Sequence, residues 1–498
     1  MVSKTALAVL AAGALAATPL TAARADAPPS KLARLVTLQD VRRHQLDLQK
    51  IADANGGNRA AGLAGNTITI KYIADQLKRA GYTPTVQNFT FDFWQERDKP
   101  VLAETAPEQK TFTPDTDFAT LQYSGTGDVT APATPVDPAA GGAGSGCEAD
   151  DFTGFPKGHI ALVQRGGCFF ADKAGNAVAA GASAVVIYQR PDVDGPVEGT
   201  LTRPFDVPVV GPTNAIGTDL VKKAQNGGVT LHVKTDTLNQ KRTTANVIAD
   251  TERGRADNIV VVGAHNDSVT DGPGINDDGS GTATLLATAR QIAKLGGKLR
   301  NKVRFAFWGA EEEGLLGSQH YVDSLAPADL DKIALDLNFD MLASPNFVRF
   351  VFDGDNSAGQ NNVEAPAGSG AIEKTFTDYF GARKLATEPT AFDGRSDYNA
   401  FISAGIPAGG LFTGAEGVKT TAQATTYGGT AGQPYDPCYH QSCDRYDNVS
   451  LTGFRQMLGA TTSAIEAFAY STLTVNGSAR TRRQAAATAA HSGPYAAR

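Results

Sequence analysis

From Thr244 to Gly414 the chain alternates between apolar runs of strand length and stretches with helical spacing. "NIVVVGAH", "KVRFAFWGA", "ALDLNFDML" and "AGIPAGGLFTG" read as strands. "TATLLATARQIAKLG" reads as a helix with Leu285, Ala289, Ile292 and Ala293 on one face, closed by Gly296 and Gly297. Such alternation predicts an α/β fold, a mixed and mostly parallel sheet sandwiched by helices. In these sheets the ligand crevice lies beyond the carboxyl ends of the strands.

At those ends this sequence places its chemistry. His265 follows the strand 259–264, Glu311-Glu312-Glu313 follow 303–308, and Asp340 ends 335–339. The glycine-rich stretch "GAHNDSVTDGPGINDDGSG" adds Asp277 and Asp278, while Asp271 falls where that loop turns. Catalytic zinc takes imidazole, carboxylate and water ligands with one position open, and a pair of ions needs a carboxylate between them. A His/Asp/Glu/Asp/His set suffices for such a pair. Chemistry alone does not separate Glu311, Glu312 and Glu313, or Asp277 from Asp278. For the second histidine, His44 and His320 lie on predicted helices, His159 and His232 in a separate module, and His491 in the tail. His440, in "CYHQSCD", stands between two cysteines, and a pinned loop suits a ligand.

The remaining sequence frames this unit. A length of 498 residues allows about two to four domains. A net charge of −7 without basic blocks argues against nucleic acid as a partner. Residues 1–25 read as a signal peptide ending in Ala23-Arg24-Ala25, and no later run of 18 apolar residues occurs, so an exported protein free of the membrane is expected. In such a chain four cysteines suggest two disulfides. Three pairings exist, and position favours Cys147 with Cys168 and Cys438 with Cys443. Helices are predicted over 37–55, with Leu38, Val41, Leu46, Leu48 and Ile51 at helical spacing, and over "TITIKYIADQLKRAGY"; "NFTFDFW" alternates like a strand. Residues 125–146, rich in Pro, Gly, Ala and Thr, read as a boundary or exposed excursion with little core. A small α/β module follows to about Lys234, and the tail from Val475 reads as disordered.

Two resemblances add to this reading. "GCEADDFTGFPKGHIALVQRGGCFFADKAGNAVAAGASAVVIY" resembles the protease-associated domain, a non-catalytic α/β insert that borders the cleft of several exopeptidases. "GAHNDSV", "GPGINDDGSG", "FWGAEEEGLLGS", "LNFDM", "GRSDY", "GGLFTGA" and "CYHQSCD", in this order, resemble the di-zinc aminopeptidase family of secreted bacterial leucyl aminopeptidases and fungal vacuolar aminopeptidase Y. The resemblance implies a zinc exopeptidase fold over 26–120 and 240–474, interrupted by the insert at 121–239, with a tail at 475–498.

It further implies two Zn2+ per chain, with calcium a further possible ion for which no ligands can be placed. His265 and Asp340 would hold one zinc, Glu312 and His440 the other, and Asp277 would bridge. Glu311 matches the general base and Tyr439 the hydroxyl that steadies the tetrahedral intermediate. Asp267 would orient His265, and Arg395 and Phe412 would line the substrate pocket. Asp278 and Glu313 are left as solvated or supporting acids. The expected activity is release of N-terminal residues, bulky apolar ones such as leucine, from peptides and proteins by a secreted monomer. The alternatives are a carboxypeptidase or dipeptidase on the same scaffold, and a binding protein with damaged ligand motifs, which the intact set argues against.

Overall fold

The structure is a computed structural model that describes residues 30–137, 144–295 and 299–477. The signal-peptide expectation for 1–25, the helix-closing Gly296 and Gly297, and His491 lie outside these residues. So does the tail from 478 on; residues 475–477, expected to be disordered, are instead ordered, with Val475 buried on the short helix Leu473–Asn476 and Asn476 donating to the Ala334 carbonyl at 3.2 Å.

The strand Arg255–His265 is the centre of the sheet. It pairs in parallel with Asn301–Trp308 on one side and Ile333–Phe339 on the other, and the latter pairs in parallel with Ala408–Phe412. Period-two alternation then sorts the side chains. Val260, Val262 and Ala264 face a core shared with helices Leu38–Asp53, Gly279–Ile292 and Leu451–Tyr470. Ile259 and Val261 face the opposite core, with Tyr321, Val322 and Phe401. Burial on both faces is what a continuous apolar strand requires. Register finishes the arrangement: Trp308 lies opposite His265, Asn338 opposite Gly263, and Phe339 opposite Leu411. The residues following these strands therefore emerge along one edge.

Several elements differ from the sequence reading in instructive ways. The helix expected from Thr282 starts at Gly279, because the Asp278 side chain caps it by accepting the Gly281 N–H. Leu46 is exposed although it keeps the helical spacing. The strand at 88–94 is part of a much longer one, Thr85–Ala106, paired antiparallel with Thr230–Asp250 from Thr85–Ile248 to Ala106–Thr230. Both strands run from the main sheet into the insert, with register shifts at Glu96/Asp98, Asp98/Val101 and Glu104/Ala106. Within 125–146, residues Gly127–Pro135 form a strand held between Thr230–Asp250 and Ile160–Gln164, with Ala131 and Ala133 buried. Ladder bonds on both sides hold a segment whose small side chains gave little hydrophobic signal. Leu102, Phe112 and Phe118 pack in the insert's core with Val186, Val210 and Leu231.

Candidate metal centre

Asp277 lies between two histidines. Its Oδ1 is 3.0 Å from His265 Nε2 and its Oδ2 is 3.3 Å from His440 Nε2. Around this axis, Asp340 Oδ1 is 3.7 Å and Glu311 Oε2 3.9 Å from His265 Nε2, while Glu312 Oε2 is 3.0 Å from His440 Nε2. His265, Asp277 and Glu311 are nearly or fully buried. Burial alone would depress both imidazoles. The surrounding carboxylates outweigh it, holding His265 well above its usual value through Glu311, Asp277 and Asp340, and His440 up to about 11 through Glu312 and Asp277. Burial would raise Asp277, but bonds to the two histidines hold it well below the usual carboxylate range.

The donor set fits a divalent cation. Glu312 Oε1, Asp340 Oδ1 and His265 Nδ1 are buried without hydrogen-bond partners. Four converging carboxylates repel one another unless positive charge stands among them. Mixed imidazole nitrogen and carboxylate oxygen is a donor set that zinc accepts. One atom each from His265, Asp277 and Glu312 lie within 4.8 Å of one another, as do atoms of His265, Asp278 and Asp340. In the second group Asp278 is already engaged: it accepts the N–H groups of His265 at 3.2 Å, Gly281 at 2.8 Å and Met341 at 3.2 Å. It is buried and ties the strand ends together, so the solvated alternative for it does not hold. Glu313 is only part-buried, and that partial burial still pushes its carboxyl up to about 8.

Asp267 Oδ1 lies 3.8 Å from His265 Nδ1, longer than a hydrogen bond, and instead accepts the Glu311 N–H at 3.2 Å. Asp340 Oδ2 accepts from Ser396 Oγ at 2.7 Å. His44 lies on the helix Leu38–Asp53, and His320 stacks on Phe89 with ring centroids 4.9 Å apart.

Residues distant in sequence hold the loops. Arg59, fully buried, donates to the carbonyls of Pro273 at 2.9 Å and Gly274 at 2.6 Å, and its N–H reaches Ser268 Oγ at 2.9 Å. It thereby braces the turn between His265 and Asp277. Disulfides join Cys147 to Cys168 and Cys438 to Cys443. The second encloses Tyr439 and His440, whose rings stack 3.8 Å apart.

Beside the ligand cluster opens a cavity of about 270 Å³. Its walls include Met341, Phe350, Phe352, Phe412 and Tyr435, and its polar side carries Glu311, Arg395, Glu416 and Tyr439. A chamber with one aromatic wall and an acid and imidazole cluster at its end is the site of a metal-dependent hydrolase.

Comparison with known proteins narrows this class. Residues 246–464 match the model of peptidase family M28 and residues 126–220 that of the PA domain. The chain is 45% identical over 430 residues to an aminopeptidase of Pseudomonas aeruginosa PAO1, covering 85% of this chain and 79% of that protein. It is 39% identical over 456 residues to a probable leucine aminopeptidase 2 of Aspergillus oryzae, covering 90% and 88%. Among solved structures, a zinc aminopeptidase from Bacillus subtilis superposes with a TM-score of 0.55 at 26% identity, covering 86% of this chain and 94% of that one. The chain belongs to peptidase family M28.

Proposed function

We propose that this chain is an exported, monomeric zinc aminopeptidase that holds two zinc ions and removes N-terminal residues with bulky apolar side chains. The observation that carries the reading is Asp277 placed with one oxygen toward each histidine, at 3.0 and 3.3 Å. His265 and Asp340 would hold one ion, His440 and Glu312 the other, and Asp277 both. Bound zinc supplies Lewis-acid polarisation of the substrate carbonyl and acidifies water. The aminopeptidase names of the relatives support the reaction, and the Phe350, Phe352 and Phe412 walls support the side-chain preference. Among the described residues no helix is long and apolar enough to cross a membrane, and two disulfides suit an oxidising compartment. The catalytic unit is assigned to 26–120 and 240–474, with the insert between and with Leu102, Phe112 and Phe118 of the preceding segment packed into the insert's core.

The chain's own groups divide the work. Glu311 stands at the cavity wall, its carboxyl raised by burial and by the neighbouring Asp340 and Asp397, which suits it to take a proton from the attacking water and return it to the leaving amine. Tyr439 donates its hydroxyl proton toward the developing oxyanion. Glu311 and Asp340 face the position of the substrate's free ammonium. Arg395 is engaged by Glu416, at 2.7 Å, which leaves it poorly placed to seize a substrate's terminal carboxylate and speaks against the carboxypeptidase alternative.

The test is hydrolysis of leucyl-p-nitroanilide by the purified protein, with chelator and with Glu311→Gln, beside a free and an N-acetylated peptide. Activity lost with chelator, lowered about 10²- to 10⁴-fold or more in the variant, and confined to the free peptide is expected. Full activity of Glu311→Gln, or cleavage of the acetylated peptide, overturns the reading.

A further inference from the structure

Arg395 links two residues of the cavity wall. Its Nη1 donates to Glu416 Oε1 at 2.7 Å and its Nη2 donates to the Tyr439 hydroxyl oxygen at 3.3 Å. A guanidinium has no acceptor, so in this bond the phenol oxygen accepts. The phenol's own proton remains for another partner, and the hydroxyl belongs to the cavity that Glu311 and Asp340 also line. An acceptor already engaged by a cation is a more strongly polarised donor. The backbone on either side is held independently. The Arg395 N–H binds Asp393 Oδ1 at 3.0 Å, Asp393 accepts from the Tyr398 hydroxyl at 2.8 Å, and the Tyr439 N–H binds the Asp436 carbonyl at 3.2 Å. What the backbone leaves loose is the long Arg395 side chain.

Glu416 restrains it. The Arg395 and Glu416 side chains are 44% and 56% exposed, and exposed pairs contribute only about 0–1 kcal/mol to folding. The consequence of this pair is therefore positional. The two groups nevertheless act on each other: burial would raise the Glu416 carboxyl, yet its bond to Arg395 holds it below the usual range.

We propose that Glu416 is a positioning residue for catalysis, which by fixing the Arg395 guanidinium on the Tyr439 oxygen keeps the Tyr439 hydroxyl aimed and polarised toward the oxyanion. This rests on the reading of Tyr439 as the oxyanion donor. Glu416 itself lines the cavity, and its separate role is on turnover, exerted through Arg395 and Tyr439.

A double-mutant cycle tests it: Glu416→Ala, Glu416→Gln, Tyr439→Phe and Glu416→Ala/Tyr439→Phe, each assayed for kcat, KM and zinc content. Loss of an oxyanion donor typically lowers kcat about 10²- to 10³-fold, and Tyr439→Phe is expected in that range. Glu416→Ala is expected to lower kcat by about tenfold, a fraction of the donor's effect, with KM and zinc content near wild type. Glu416→Gln, which keeps a neutral acceptor, should fall between. In the Tyr439→Phe background the Glu416→Ala change should leave kcat unaltered, since coupled residues are not additive. An equal loss in both backgrounds, or a rise in KM with kcat unchanged, overturns the role of Glu416 while leaving Tyr439 in place. A Tyr439→Phe variant with full kcat overturns both.

Discussion

Asp444 accepts the backbone N–H of Asp277 at 3.0 Å with one carboxylate oxygen and that of Asn276 at 2.8 Å with the other. The chain leaving Cys443 therefore holds the peptide that carries Asp277, and two sequence-distant halves of the site meet at one side chain. Asp444 is buried, and burial pushes its carboxyl up to about 8. Asp444→Ala leaves two buried N–H groups unsatisfied, at about 1–3 kcal/mol each. Supporting contacts around ligands typically change metal affinity about 10- to 100-fold. Zinc competition against a chromogenic chelator, beside thermal denaturation, should show both losses. Unchanged zinc affinity would mean that Asp277 is placed without Asp444.

Gly281 predicts a steric test of the strand ends. A Cβ there would stand 1.9 Å from the Phe339 carbonyl oxygen and 2.6 Å from both Asp278 carboxylate oxygens. Phe339 precedes Asp340, so the collision falls on the segment that presents it. Gly281→Ala should destabilise the protein by about 1–3 kcal/mol and lower kcat. Gly381, on the helix Ser369–Gly381 with nothing within 4 Å of its Cβ position, is the control. Gly381→Ala should be neutral or mildly stabilising, measured by urea unfolding of both variants.

Much of this arrangement could be read from the chain because its signals are local. A strand buried on both faces must be apolar throughout, so 259–264 and 335–339 announced themselves, and His265 and Asp340 stood out as polar groups at their ends. The choice among Glu311, Glu312 and Glu313 had no local signal and came from family resemblance. Arg59 and Asp444 were missed because their partners lie on other loops, across separations that no periodicity records. Glu416 was missed for the same reason, since its relation to Tyr439 passes through Arg395. The long strands Thr85–Ala106 and Thr230–Asp250 were underestimated because their polar middles, such as "NQKRTT", satisfy each other by ladder hydrogen bonds rather than by apolar burial.

His44 supplies a pH dependence away from the metal centre. It is 7% exposed, its Nδ1 lies 2.7 Å from the Tyr72 hydroxyl, and burial foremost, with Arg290 adding, depresses it to about 4. Unfolded, it titrates near about 6.5. Between those values the unfolded chain binds a proton that the folded one refuses, so stability present above pH about 6.5 is lost as the pH falls toward 4. The whole shift corresponds to about 3 kcal/mol. Urea unfolding at pH 7 and pH 4.5 should show a smaller acid loss in His44→Gln than in wild type. An equal loss in both would assign the acid sensitivity to other groups.

The two disulfides should separate stability from activity. Cys147 and Cys168 are 21 residues apart, Cys438 and Cys443 only 5. Loop-closure entropy ranks the first as the stronger contributor, about 3 kcal/mol against about 2. For turnover the order reverses. His440 holds a left-handed backbone, φ 56°, which a non-glycine residue keeps only where its surroundings impose it. The 438–443 bridge closes the loop around it, with Asp436 accepting the Cys438 N–H at 2.9 Å at one end and Asp444 anchored at the other. Cys147→Ser/Cys168→Ser should lower Tm more than Cys438→Ser/Cys443→Ser does, yet leave kcat/KM near wild type. Cys438→Ser/Cys443→Ser should lose activity at limiting zinc and recover part of it at high zinc, because a loosened His440 weakens binding without removing the ligand. If the 147–168 variant loses activity while remaining folded, the insert contributes to turnover directly. If the 438–443 variant keeps full activity at limiting zinc, the loop holds His440 without its bridge.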